Sequence, residues 1–314
     1  PSSTPTSGVF VAVGQYGSTF RSIDNGTSWD NGTCVYLDKH LYGAVYGNNS
    51  FVAVGESGKI ARSTDNGSSW VNSSSGSNST ELRGVAFGNN TFVAVGNSYK
   101  VIRSTDNGSS WESFSSGVST DHYLKGVAFG DNTFQAVGQA SNYSNSYCHS
   151  NYRKEIFKAE YDASSWSKQD SPYEECKDLY GVGYGSSNTF VAVGQGSKIV
   201  KSTNSGSSWD NVTSGISPYP PIGENKKLRA VAFGNNTFVA VGESGKIIRS
   251  ANNGVTWYNS TSNTIRELYA VTFGNGTFVA VGETGTILTS PDGITWTTED
   301  SRTTNTLFGV TFGD

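Results

Sequence analysis

The chain has 314 residues, 15% of them charged, and a formal net charge of −4. That balance leaves no basic field for nucleic acid or an anionic membrane surface. No apolar run approaches the roughly 20 residues that cross a bilayer as a helix, so no direct membrane insertion is expected.

Residues 1–7, PSSTPTS, read as a tail or linker, and the absence of Met fits a trimmed mature end. From Gly8 onward one pattern recurs. Its clearest copy runs from Leu82 to Trp111. GVAFG is a short apolar run ended by Gly-Asn-Asn, and TFVAVG is a second run. KVIRS alternates apolar and polar residues, Asp106-Asn107-Gly108 makes a turn, and SSWESF is a fourth run. Turn residues between short β-branched and aromatic runs predict a meander of four antiparallel strands. Each copy ends in a tryptophan: Trp29, Trp70, Trp111, Trp166, Trp209, Trp257 and Trp296, spaced 41, 41, 55, 43, 48 and 39 residues apart. A unit of about 40 residues is too short to fold alone, so it must stack on its neighbours. Seven four-stranded units make an all-β, seven-bladed β-propeller. A TIM barrel would need stretches of helical periodicity, which are missing, and a two-sheet sandwich does not explain seven copies. The chain starts on a second strand, GVFVAVG at Gly8–Gly14, and stops on a first strand, LFGVTFGD at Leu307–Asp314. Phe308–Phe312 is therefore expected to pair with Phe10–Val13 and close the ring, with residues 8–314 forming one propeller domain.

The turn before each tryptophan resembles the Asp-box, or BNR, repeat S-x-D-x-G-x-x-W. It reads Ser22-Asp24-Gly26-Trp29, Ser63-Asp65-Gly67-Trp70 and Ser104-Asp106-Gly108-Trp111. Asn204 and Asn252 replace the aspartate in copies five and six, copy seven is one residue shorter with Asp292, and copy four, AEYDASSW, is degenerate. The resemblance implies a propeller like those of sialidases, sortilin-type receptors, photosystem II assembly factors and microbial surface proteins. The motif itself reads as turn chemistry, with the Asp or Asn oxygen accepting backbone N–H groups and Gly supplying positive φ. No catalytic role is assigned to it.

The irregular loops all follow second or fourth strands, which places them on one face of such a ring. They are Gln139–Arg153, Ser214–Lys227 and Asn31–His40, and they hold Tyr143, Tyr147, Tyr152 and Tyr219. Variable loops on a regular scaffold are where binding concentrates, and Tyr is a well-suited contact residue. His40 lies in a different copy from His122 and His149 and no Cys/His cluster with metal-ligand spacing occurs, so no metal site is expected, and no cofactor either. The residue just inside each first strand varies: Tyr42, Arg83, Lys125, Tyr180, Arg229, Tyr269 and Phe308. These residues should face the mouth of the central channel, with Glu56, Glu243 and Glu283 after the second strands beside them. A ring of cations, aromatics and acceptors suits a sugar or a peptide carboxylate, or forms an internally paired rim.

Thirteen N-x-S/T sequons occur, at Asn25, Asn31, Asn48, Asn66, Asn72, Asn78, Asn89, Asn107, Asn142, Asn211, Asn235, Asn259 and Asn275. Asn-rich turns generate some by chance, and a secreted or cell-surface glycoprotein would use several. Asn66, Asn107 and Asn275 are expected to be exposed hairpin tips. In an oxidising compartment Cys148 and Cys176, both in copy four, are expected to pair, with Cys34 left over.

The expected function is non-enzymatic: an extracellular propeller with an adhesive or structural role, binding a protein or glycan through its loop-rich face, or self-associating into a surface assembly or filament. The alternative is a sialidase-like glycoside hydrolase at the channel mouth. That chemistry needs three arginines on a carboxylate, a Tyr–Glu pair and an acid. Only Arg83 and Arg229 stand there, and Lys125 is a poor third because it lacks the planar fork.

Overall fold

The structure, a computed structural model, describes residues 8–32, 38–73, 80–114, 122–140, 156–169, 178–212 and 226–314. Each repeat becomes one four-stranded antiparallel sheet whose strand order follows the sequence, and seven such sheets form the ring. Numbering blades by their tryptophans, blade three is built from Leu82–Gly88 at the axis, then Thr91–Gly96, Val101–Ser104 and the outer Glu112–Phe114. Blade one combines the two chain ends: its inner strand is Leu307–Gly313, paired antiparallel with Val9–Gly14. Phe10 stands opposite Phe312 and Val13 opposite Gly309, the closure the repeat phase required. Tyr46 of blade two adds a hydroxyl bond to the Asp314 carbonyl.

The second strand is buried along its whole length in blades one, two, three and six. It packs against a neighbouring blade on both faces, which is why it reads as a continuous apolar run rather than an alternating one. Seven apolar clusters follow, one at each blade junction. Trp29, for example, packs with Phe10 and Phe20 of its own blade and with Val279 and Val281 of blade seven. Full burial of such a side chain contributes several kcal/mol at each junction. Nearer the axis an aromatic ring of one blade lies on the last glycine of the previous inner strand. A Cβ at Gly47 would sit 2.1 Å from the Phe87 ring, and one at Gly274 would sit 2.0 Å from Phe312. Only glycine lets the wedge close.

The turn before the tryptophan is a hydrogen-bonded unit. In blade three Ser104 Oγ donates to Asp106 Oδ1 at 2.7 Å and accepts from Gly108 N at 2.9 Å. Asp106 accepts from Ser110 N at 2.9 Å and Ser110 Oγ at 2.6 Å, and Trp111 Nε1 donates to the Gly108 carbonyl at 3.3 Å. Asn204 and Asn252 reproduce the same acceptor bonds through Oδ1. In degenerate blade four Ala163 takes the positive φ of the missing glycine, 55°, and its carbonyl still accepts from Trp166 Nε1 at 3.2 Å. This geometry accounts for one departure from the expected strands. The fourth run begins as a strand only after Trp111, because the indole turns inward to the junction instead of pairing along the edge.

The third strand carries Arg21, Arg62, Arg103, Lys158 and Lys201 at equivalent positions, and these side chains reach over the turn of the next blade. Arg62 Nε donates to the Asn107 carbonyl at 2.6 Å, Arg103 Nη1 to that of Asp162 at 2.9 Å, and Lys158 Nζ to Ser207 Oγ at 3.1 Å. These cations therefore tie blades together.

Candidate functional site

The channel mouth is assembled by one backbone irregularity repeated around the ring. The pairing of inner and second strands slips by a residue between Leu41 and Gly43, Leu82 and Gly84, Leu124 and Gly126, Leu179 and Gly181, Leu228 and Ala230, and Leu268 and Ala270. The closing blade slips at the equivalent point, with Val13 opposite Gly309 and Gly14 opposite Leu307. The residue skipped is Tyr42, Arg83, Lys125, Tyr180, Arg229, Tyr269 or Phe308. A β-bulge re-aims its extra side chain. The leucine before it is buried in the blade junction, while the bulged residue is left for the axis. The pattern Leu-x-Gly/Ala was the sequence signal for this bulge.

Below the mouth the next ring is Gly43, Gly84, Gly126, Gly181, Ala230, Ala270 and Gly309, lining a cavity of about 160 Å³ to which all seven blades contribute. The backbones are close here: a Cβ on Gly181 would lie 2.7 Å from the Arg229 carbonyl, and one on Gly126 would lie 2.8 Å from that of Tyr180. Small residues are thus a packing requirement at the neck, and the cavity they line is otherwise bounded by the valines that follow them, Val85, Val127, Val182, Val231 and Val310.

The rim is electrostatically organised. Arg83 Nη2 bonds Glu81 Oε2 at 2.7 Å, with its guanidinium carbon 4.2 Å from the Tyr42 ring centroid. Tyr42 Oη donates to Glu81 Oε1 at 3.2 Å, and Asn97 Nδ2 to Glu81 Oε2 at 2.7 Å. Three blades on, Arg229 Nη2 bonds Glu267 Oε2 at 2.9 Å and lies 5.3 Å from the Tyr269 ring and 5.7 Å from that of Tyr180. Lys125 stands apart. Among the described residues it forms no ion pair, and its amine lies 5.1 Å from the Tyr123 ring. Burial pushes its pKa down, and the charge of Arg83 pushes it further the same way. Burial raises the Asp178 carboxyl, partly offset by the Tyr180 hydroxyl and Lys125. Burial likewise pushes the Tyr42 phenol up to about 12, against the pull of Arg83, and raises Tyr269, helped by its bond to Glu267.

Glu81, Asp178 and Glu267, which organise the rim, were not singled out in the sequence. Each sits two residues before the residue the pairing skips, a spacing that puts both on one face of a strand. The glutamates that were singled out have a different task. Glu56 Oε2 accepts from His40 N at 3.2 Å, Glu243 Oε2 from Lys227 N at 3.0 Å, and Glu283 Oε2 from Glu267 N at 3.1 Å. They hold the backbone leading into each inner strand, and the His40 bond is the foremost cause holding the Glu56 carboxyl below its ordinary value. Tyr143, Tyr147, Tyr152 and Tyr219 lie outside the described residues, as do Cys34, Cys148, Cys176, Asn78 and Asn142.

The described sequon asparagines sort into three kinds. Asn25, Asn48, Asn66, Asn235 and Asn275 are exposed turn residues with positive φ. Asn31, Asn72, Asn211 and Asn259 are exposed on outer strands rather than at hairpin tips. Asn89 and Asn107 are only partly exposed. Asn107 Nδ2, the atom a glycan would occupy, donates to Ser50 Oγ at 2.9 Å.

No family model and no curated protein matches this sequence. The fold is similar to that of solved structures. YCF48 from Cyanidioschyzon merolae superposes with a TM-score of 0.64 at 16% identity, over 91% of this chain and 96% of that one. YCF48 bound to D1 peptide gives 0.60 at 16% identity, over 82% and 80%. The computationally designed Ika8 protein gives 0.63 at 11% identity, over 97% and 94%.

Proposed function

We propose that this propeller is a non-enzymatic binding protein whose channel mouth takes a carboxylate-bearing peptide segment of a protein partner. The observation that carries this reading is Lys125: a half-buried cation with no ion pair among the described residues, at the rim of the axial cavity beside Arg83. A carboxylate placed there would relieve two like charges and use an amine that is already partly desolvated. Support comes from the shared propeller fold, one solved example of which is YCF48 bound to D1 peptide. A sialidase-type site is disfavoured because Arg83 and Arg229 are each paired with a glutamate, and the third position is a lysine.

The compartment we propose is secreted or cell-surface, with Asp-box repeats as structural turns, residues 8–314 as one domain, and glycans on exposed sequons. Asn66 and Asn259 are better candidates than Asn107, whose amide is engaged. Intact mass of the protein from a glycosylating host, compared before and after glycosidase treatment, tests this.

The binding reading is tested by titrating the protein with acidic peptides and with the same peptides carrying Asn and Gln, at two salt concentrations. Acidic peptides should bind preferentially, salt should weaken them, and a variant with Arg83→Ala and Lys125→Ala should lose the preference. Equal binding of acidic and neutral peptides, or an unaffected double variant, would remove the channel mouth as the site.

A further inference from the structure

The seven bulged side chains are not evenly mixed around the mouth. In blade order from four they run Lys125, Tyr180, Arg229, Tyr269, Phe308, Tyr42, Arg83. Phe308 is the one position without a polar atom, and it is the centre of an aromatic arc. Its ring is 5.4 Å from Tyr42, 5.2 Å from Tyr269 and 6.0 Å from His40. The two arginines bound this arc, Arg83 against Tyr42 and Arg229 against Tyr269. Across a seven-fold ring the position facing blade one falls between blades four and five, where Lys125 stands. The mouth is therefore polarised, apolar on one side and cationic on the other. Between them lies a cavity of about 160 Å³ lined below the mouth by glycine, alanine and valine. That is room for about five waters' share of liquid, the scale of one amino-acid side chain and too little for a folded surface.

Resting on the carboxylate-binding reading above, we propose that the mouth selects a free peptide C-terminus whose last residue is apolar. An α-carboxylate and an apolar side chain leave the same Cα, so one residue can reach Lys125 with the first and Phe308 with the second. An internal Asp or Glu offers the carboxylate without an apolar group on the same carbon. The phenol proton of Tyr42 is committed to Glu81, which leaves its oxygen to accept the N–H of the terminal residue.

The test uses the full chain and four decapeptides sharing nine neutral residues. Two end in Leu and two in Ser, each as the free acid and as the C-terminal amide; a fifth probe carries an internal Asp and an amidated end. Titration calorimetry should show the Leu free acid binding at least tenfold more tightly than its amide and than the Ser free acid. Phe308→Ser should remove the Leu over Ser preference and keep the acid over amide preference. Lys125→Gln should do the reverse, and thermal melts of both variants establish that they are folded. Should either variant fail to fold, Phe308→Tyr, which retains the ring, and Lys125→Arg, which retains the charge, are read in its place, each with its discrimination preserved. The inference is overturned if the Leu acid and its amide bind alike, or if Leu and Ser ends bind alike. It is overturned with the underlying reading intact if the internal-Asp probe binds as well as the Leu acid. Absence of binding by every carboxylate-bearing probe overturns both.

Discussion

Arg83 and Tyr42, in neighbouring blades, form one stacked unit: the guanidinium carbon lies 4.2 Å from the ring centroid, and both side chains bond the same carboxylate, Glu81. Arg229, Tyr269 and Glu267 repeat the arrangement on the far side of the aromatic arc. The arginines are thereby held in fixed orientations, Arg83 by Glu81 of its own blade and Arg229 by Glu267 of the next, while Lys125 forms no ion pair among the described residues.

Replacing Glu81 with Gln removes the negative charge that neutralises Arg83 and releases the guanidinium fork. Binding of acidic peptides should tighten several-fold at low salt, with the gain fading as ionic strength rises. Stability should fall by about 1–3 kcal/mol, since Arg83, Tyr42 and Asn97 all lose a charged acceptor. Parallel peptide titrations and denaturant melts read both effects.

Lys125 gives the site a pH dependence with a definite sign. Its pKa is lowered in the free protein by burial and then by Arg83, while a bound carboxylate favours the protonated amine. Affinity should be level through neutral pH and fall as pH rises through the depressed Lys125 value, below the ordinary lysine range. The Tyr42 phenol, pushed up to about 12, stays neutral over that interval and does not contribute. Lys125→Arg should carry the plateau to higher pH. A wild-type affinity that is flat up to the ordinary lysine value would show that Lys125 does not meet the ligand.

At the turns, burial raises the Asp106 carboxyl, but the bonds from Ser110, Ser104 and Ser109 outweigh it and hold it down to about 2. A carboxyl depressed in the folded state stabilises above its unfolded pKa, and that contribution is lost as pH falls from about 3.9 toward 2. Asp106→Asn should therefore be nearly neutral at pH 7, as Asn204 and Asn252 show by making the same bonds, and it should flatten the acid limb of the stability curve. Asp106→Ala should cost about 1–2 kcal/mol at pH 7. Urea melts across pH 2–7 separate the two.

The tryptophans should not respond alike. The indole of Trp257 is fully buried and donates to the Gly254 carbonyl at 3.2 Å, whereas the buried Trp209 Nε1 has no acceptor among the described residues. Trp257→Phe loses volume and a hydrogen bond; Trp209→Phe loses volume and relieves an unsatisfied donor. Trp257→Phe should be the more destabilising by about 1 kcal/mol, and either change to Ala should cost about 3–5 kcal/mol through the junction cavity. Equilibrium unfolding of the four variants decides this.

The blade count, the four-stranded unit, the closing pair of termini and the turn chemistry were all legible in the residues, because each depends on short-range pattern. Turn residues, alternation and a recurring tryptophan state what a segment of about 40 residues must do, and the phase of the repeat states how the ends must meet. The ring of variable residues could also be read off, from Tyr42 to Phe308. What each of those residues does at the mouth was decided by tertiary structure. Glu81 pairs with Arg83 and, across a blade junction, Glu267 with Arg229, so that two of the three expected cations are already paired and Lys125 stands out. Glu56, Glu243 and Glu283 are committed to backbone N–H groups 16 residues away, partners that meet only where the first and second strands of a blade pair. Asn107 illustrates the same limit: its sequon is local, but the Ser50 hydroxyl that engages its amide belongs to the neighbouring blade. Local pattern determines which elements form; electrostatics and access at a site are sums over residues distant in sequence, and only the closed ring brings those together.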